Sequence, residues 1–226
     1  KAELTLIEIN DERFINDKIF FLKGLIYGAK NQDDKAINSF ERAIELNSKE
    51  SIYYFNLAIA LNKIGYAQRA ISNYEKTIKL NPNNKEAWLN FGNIFRNLKK
   101  YKESLKCYQQ ALKINQDYIE AQLNMGLSLI DIGEYDNSIS IFSSILERNN
   151  NNLNALIGIS LALMMKGSYE EALNFSNKCI ELDNQNVIAI SNRGIILNNL
   201  KQYKNAIKDF DNILTKNKED INALIN

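Results

Sequence analysis

Slid against itself, the chain returns to register every 34 residues, and does so six times without a gap from Asp17 to Asp220. The eighth position of the period is small in every copy: Gly24, Ala58, Gly92, Gly126, Ser160 and Gly194. Position 20 is small too, as Ala36, Ala70, Ser104, Ser138, Ala172 and Ala206. Bulky residues recur between these notches. Position 11 is Tyr27, Leu61, Phe95, Leu129, Leu163 and Leu197, and position 24 is Phe40, Tyr74, Tyr108, Phe142 and Phe210, with Ser176 the exception. Small residues let two helices approach to about 8–10 Å, and large ones fill the gap that remains. A unit of this length is one supersecondary element, stable only when stacked on its neighbours. Each copy therefore reads as two antiparallel helices, with turns near positions 15–17 and 31–34.

These notches and knobs, with "WLNFGNIF" at 88–95, resemble the tetratricopeptide repeat. The resemblance covers essentially the whole chain. It implies an all-α fold, a right-handed α-solenoid (superhelix) of helix-turn-helix repeats, about 13 helices in all, with the first helix of each repeat lining a concave groove. Six repeats are expected at 17–50, 51–84, 85–118, 119–152, 153–186 and 187–220 in one continuous array. Residues 1–16 fit the end of a preceding repeat, with Ala2, Leu6 and Ile9 at core positions, and 221–226 open a further one. Neither end looks capped, so the chain reads as a segment of a longer array.

The turn residues support this phase. Gly65, Gly133 and Gly167 fall at position 15, where glycine takes the left-handed conformation that ends a helix. Asn47, Asn81, Asn115, Asn149 and Asn217 fall at position 31, where a left-handed asparagine is expected as well. Three departures stand out. Lys23 and Arg193 occupy position seven, normally apolar in this repeat, and the unit 153–186 carries Phe175 one place before its missing aromatic. That unit is the expected flexible joint.

Composition narrows the function. Histidine is absent, which removes the commonest general acid–base group and metal ligand. Neither a nucleophile elbow nor a phosphate-binding loop nor metal-ligand spacing is present. The sequence therefore points away from an enzyme, and it calls for no cofactor and no metal. A formal net charge of +1 without a basic run gives no attraction to nucleic acid or to an anionic membrane. No apolar run approaches the roughly 18 residues of a membrane span. Cys107 and Cys179 lie two repeats apart, on the order of 20 Å by helix stacking, beyond the roughly 7 Å reach of a disulfide. They read as buried thiols in a reducing, cytoplasmic setting.

One stripe remains. Asn90, Asn93 and Asn97 lie on one side of the helix 87–97, opposite Trp88, Phe91 and Phe95. Asparagine is a poor mid-helix residue, because its amide competes for backbone groups. By the resemblance, positions 2, 5, 6, 9, 12 and 13 face the groove. Position six reads Leu22, Asn56, Asn90, Asn124, Gly158, Asn192 and Asn226. A primary amide offers an acceptor and two donors, so it can hold a peptide unit whatever side chain that unit carries. The row resembles the asparagine ladder inside the tetratricopeptide superhelix of O-linked N-acetylglucosamine transferase, with Gly158 interrupting it. Phe55, Leu89, Leu123 and Ile157 at position five, and Leu25, Ile59, Leu127, Leu161 and Ile195 at position nine, add apolar surface.

The expected function is that of a protein–protein interaction scaffold, binding an extended peptide or a partner helix in the groove. The peptide-binding residues would be Asn56, Asn90, Asn93, Asn97, Asn124, Asn192, Phe55, Leu89, Leu123 and Ile157. Two alternatives stand beside it: a substrate-recruiting segment of a glycosyltransferase-type enzyme, and an array whose uncapped ends self-associate. "SNRG" at 191–194 resembles part of a dicarboxylate clamp for acidic tails. Ile157, Leu161, Asn222 and Asn226 stand where that clamp needs other side chains, chiefly cations, which argues against it.

Overall fold

The structure is a computed structural model that describes residues 16–216. The expected tail at 1–15, the start of a seventh repeat, Asn217 and Asn226 lie outside the described residues. Among those described there are twelve helices and no strand. They are α1 (Asp17–Ala29), α2 (Asp33–Leu46), α3 (Ser51–Lys63), α4 (Ala67–Leu80), α5 (Lys85–Asn97) and α6 (Tyr101–Ile114). Then follow α7 (Ile119–Asp131), α8 (Tyr135–Arg148), α9 (Leu153–Lys166), α10 (Tyr169–Leu182), α11 (Val187–Asn199) and α12 (Tyr203–Lys216). Each 34-residue period thus forms one helical hairpin, and successive hairpins stack as helix-turn-helix repeats of a solenoid, α1–α6 in one stack and α7–α12 in another.

The turn within each hairpin is the same six times. The amide at position 16 donates back to the carbonyl at position 11, as in Gln32 to Tyr27, Tyr66 to Leu61 and Lys100 to Phe95, all at 2.8–2.9 Å. Glu134, Ser168 and Gln202 repeat this bond at 2.9 Å, closing the helix end in a Schellman arrangement. Position 15 is left-handed in every copy. Gly65, Gly133 and Gly167 take it at φ 83–88°, and Asn31, Lys99 and Lys201 at φ 56–60°. A lysine there carries a steric cost of about 1–2 kcal/mol that glycine avoids. Stacking of the two helices outweighs it.

The turn between hairpins corrects one expectation. Asn47, Asn81, Asn115 and Asn149 are extended, with φ between −138° and −149°, rather than left-handed. The side-chain oxygens of Asn47, Asn81 and Asn149 accept the amide two residues on, at 3.1–3.2 Å. Asp183 does the same at 3.0 Å, which explains why a carboxylate serves equally at this position. Three residues later, Asn16, Asn84, Asn152 and Asn186 cap the next helix by accepting an amide at 2.8–3.0 Å.

The notch-and-knob packing follows the sequence. A β-carbon built on Gly24, Gly92, Gly126 or Gly194 would lie within 2.4–2.6 Å of the ring of Phe40, Tyr108, Phe142 or Phe210 respectively. In the unit 153–186 two serines replace this contact. The Ser160 and Ser176 hydroxyls share a hydrogen bond, and Ser160 also bonds the Ala172 carbonyl at 3.1 Å. Phe175 packs half-buried beside them. The expected joint at this unit is not where the chain divides. By its internal contacts it separates after Gln116 into two compact units.

The two units have different cores. In the first, α1–α6, rings follow one another: Phe55 with Tyr74 at 6.1 Å, Tyr74 with Phe91 at 6.2 Å and Phe91 with Phe95 at 4.5 Å. In the second, α7–α12, the core is aliphatic, built on Ile130, Ile145, Ile159, Leu163 and Ile196 around the single fully buried ring of Phe142. Cys107 and Cys179 are buried and unbridged, and burial pushes their thiols up to about 12 and about 11. Neither is thereby a ready nucleophile at neutral pH.

Candidate functional site

The asparagines of the first unit have partners inside the fold. Tyr74 and Tyr108 stand at position 24 with rings buried to 1% and 0% exposure, so their hydroxyls must find partners away from water. The Tyr108 hydroxyl donates to the Asn93 side-chain oxygen at 2.9 Å. Asn90, from the helix stacked on Tyr74, hydrogen-bonds the Tyr74 hydroxyl; burial pushes that phenol up, and the Asn90 contact acts against it. Two amides of the original stripe therefore serve buried tyrosines. Asn56, whose neighbour at position 24 is Phe40 rather than tyrosine, folds back and donates to the Ile52 carbonyl at 2.8 Å. Asn97 is exposed at the end of α5. Leu89 is buried, and Phe55 packs its ring edge-on against Tyr74.

This arrangement gives a stability prediction. Asn90→Ala should cost about 1–3 kcal/mol, because a buried hydroxyl loses its partner. In a Tyr74→Phe background the same change should cost much less, since no hydroxyl is left to satisfy. Urea unfolding of the two single variants and the double variant measures the coupling. Equal costs in both backgrounds would mean that the hydroxyl is satisfied by some other group.

In the second unit, residues of three first helices converge on a cavity of about 340 Å³. Three first helices supply its walls: Leu123, Asn124 and Leu127 from α7, Asn154, Ile157, Gly158 and Leu161 from α9, and Ile188 and Asn192 from α11. The Phe142 ring of α8 also borders it. Every first-helix residue stands at position two, five, six or nine of its repeat. Leu123, Asn124, Ile157 and Asn192 are thus brought together, and Phe55, Leu89, Asn56, Asn90, Asn93 and Asn97 are in the other unit. In contrast to Asn56, Asn90 and Asn93, the side chains of Asn124, Asn154 and Asn192 make no hydrogen bond among the described residues. Their donors and acceptors are open to a ligand.

Two features of this cavity escaped the sequence reading. Asn154 and Ile188 stand at position two, which the resemblance marks as inner-face, yet neither belongs to a run that draws notice. Gly158 interrupts the asparagine row, and at this interruption the Phe142 ring borders the hollow. A β-carbon there would sit 2.5 Å from the Phe142 ring.

Further hollows lie among the described residues, two of them bordered by charged groups. One of about 230 Å³ lies in the first unit beside Leu25, Asn56 and Ile59, with Asp33 and Lys63 at its edge. The other, about 380 Å³, lies in the second unit around Arg193. Arg193 grips Asp209 with two bonds, Nε at 2.8 Å and Nη2 at 2.6 Å, and reaches Asn177 at 3.2 Å. The Asp209 hydrogen bond, with its charge, holds the guanidinium above its ordinary value although burial acts against it. Arg193, one of the two cations at position seven, is thus one half of an ion pair. No cluster of three metal-ligating side chains occurs among the described residues, and no described helix is long and apolar enough to cross a membrane.

Comparison with known proteins places these observations. Family models for the tetratricopeptide repeat match residues 17–50, 52–84 and 153–186, residues 73–106, and residues 120–150. A further TPR-repeat model matches 92–133. No curated protein sequence matches the chain significantly. Among solved structures it is similar to YrrB, described as a TPR protein with an unusual peptide-binding site. The TM-score is 0.63 at 23% identity, over 82% of this chain and 96% of that one. A tetratricopeptide repeat protein from Parabacteroides merdae matches at TM-score 0.77 and 19% identity, over 99% and 89% of the two chains. PilW, a type IV pilus biogenesis factor, matches at 0.80 and 15%, over 92% and 97%. Likeness at these identities is likeness of fold.

Proposed function

The chain belongs to the tetratricopeptide repeat family, and from that premise we propose that it recognises a partner protein by holding an extended segment against the first-helix face of its second unit. One observation carries this reading: three successive first helices bring apolar side chains and three unengaged amides to one cavity. The amides of Asn124 and Asn192 align the backbone of the segment, each pairing with a peptide N–H and C=O regardless of sequence. Leu123 and Ile157 supply apolar contact beneath it. In this reading the asparagine row works as a ladder only where its amides are not already used inside the fold, which moves the ladder away from Asn90 and Asn93. Among proteins of this fold, YrrB is described as having a peptide-binding site.

Magnitudes support a combined grip. A neutral hydrogen bond contributes about 0.5–1.5 kcal/mol net, and association alone costs an estimated 4–15 kcal/mol. Amides without apolar burial would not suffice, and the cavity offers both. The test is a selection of displayed random linear peptides on the intact chain, followed by titration calorimetry with the enriched peptides. Replacing Asn124 and Asn192 together by alanine should weaken binding about 5- to 100-fold and leave the melting temperature within a degree or two. If no peptide is enriched, or if the double variant binds as well as the parent, the proposal fails.

A further inference from the structure

The cavity specifies more than a backbone. Resting on the peptide-binding reading above, we infer that the hollow at Gly158 is a socket for one bulky, uncharged apolar side chain of the bound segment, and that Gly158 sets this requirement. Position six carries asparagine in the repeats on either side, Asn124 and Asn192, whereas at 158 the absence of a side chain leaves room for the Phe142 ring beside the hollow. The Phe142 ring lies so close that even a β-carbon at 158 would meet Cζ at 2.5 Å. Glycine at 158 therefore admits the ring and leaves it uncovered as an apolar wall of the hollow, where the repeats on either side carry an amide.

The chemistry of the walls names the occupant. Leu123, Leu127, Ile157, Leu161 and Ile188 surround the space, with the Phe142 ring at its base, and no ionisable side chain lines it. The hollow beside Asn56 and the one around Arg193 differ in this respect, since Asp33 and Lys63 border the first, and Arg193, Lys208 and Asp209 border the second. A charged side chain entering the Gly158 hollow would lose its hydration and find no counter-charge. An apolar side chain loses only its contact with water. A cavity of about 150 Å³ with such walls accepts a benzene ring. The 340 Å³ here accommodates a Leu, Ile, Met or Phe side chain with the adjoining backbone. Ile188, 61% exposed at the rim, extends the apolar surface outward and gains cover when the socket fills. The amides of Asn124, Asn154 and Asn192 are the polar groups at the margin, placed to take the backbone on either side of the anchor.

Peptides enriched on the intact chain should share one Leu, Ile, Met or Phe. Changing that residue to alanine should weaken binding about 10- to 100-fold, and changing it to aspartate should abolish it. Raising the salt concentration should change the affinity less than twofold, since no ion pair is involved. On the protein side, Gly158→Asn, which restores the residue of the neighbouring repeats, should abolish binding. Because that change also presses on Phe142, Ile188→Asp at the exposed rim provides an independent arm. It should weaken the same peptides at least tenfold while the circular dichroism and melting temperature stay at the parent values. Peptides that keep their affinity when the shared residue is changed, or that ignore Ile188→Asp while remaining sensitive to Asn124→Ala/Asn192→Ala, would overturn the socket and leave the peptide-binding reading standing. Absence of any peptide binding, or indifference to the amide variant, would remove both.

Discussion

Phe142→Ala is expected to destabilise the protein by about 3–5 kcal/mol, the range for truncating a large buried aromatic. The ring has 0% exposure and sits between two glycines, Gly126 of its own hairpin and Gly158 of the next, with hypothetical β-carbons 2.5 Å away on each side. It is the only fully buried ring in the described part of the second unit, whose core is otherwise aliphatic. Neither glycine can extend to fill the space, so little of the loss is recovered by relaxation. The free-energy change combines lost burial with a residual cavity that joins the existing hollow. Urea unfolding followed by circular dichroism measures it. Repeat arrays can unfold in stages, so the transition assigned to the second unit should shift to lower urea while any separate first-unit transition stays in place. A shift below about 1 kcal/mol would mean that the glycine–aromatic contacts do not hold the hairpins together.

Asp209→Ala is the second change of large effect, with an expected cost of about 3 kcal/mol. The side chains of Arg193 and Asp209 are 25% and 7% exposed, and the carboxylate accepts two guanidinium bonds. Removing the carboxylate leaves a partly buried cation with only its contact to Asn177. The cost comes from that stranded charge and is not the net worth of the pair, because placing both charges out of water was itself unfavourable. Arg193→Leu with Asp209→Leu should therefore return most of the lost stability. Position seven is ordinarily apolar in this repeat, and the double change restores that character. Thermal melts of the single and double variants check the contrast. A double variant as unstable as Asp209→Ala would show that the pair does more than replace an apolar contact.

The period was legible because it depends on residue size, and size recurs visibly. Gly92 and Tyr108 are 16 residues apart in the chain and in contact in the hairpin, and the same pair of positions recurs at Gly24 and Phe40. The glycine turns at 65, 133 and 167 were legible for the same reason. Lys99 and Lys201 were not, since nothing about a lysine announces a left-handed backbone. The asparagines at 47, 81 and 149 were located at their turns but given the wrong conformation, because an amide serves a left-handed residue and an Asx turn equally well. At Asn90 and Asn93 the residue type showed that an amide was wanted and did not show by what. Their partners, Tyr74 and Tyr108, lie 16 and 15 residues away in the chain on other helices.

By itself the sequence determined that the chain folds as helical hairpins, and it placed the turns between helices to within a residue or two. Those outcomes follow from local propensity and from periodic burial, both of which are properties of short windows. Only the tertiary structure decided which first-helix asparagines are engaged and which are open, that Arg193 has a carboxylate beside it, and that the break in the row at Gly158 lies beside a hollow bordered by the Phe142 ring. Each of these depends on what the facing helix presents at one point in space. Hydrogen bonds and cavities act over a few ångströms, a scale that stacking brings about and that order along the chain does not express.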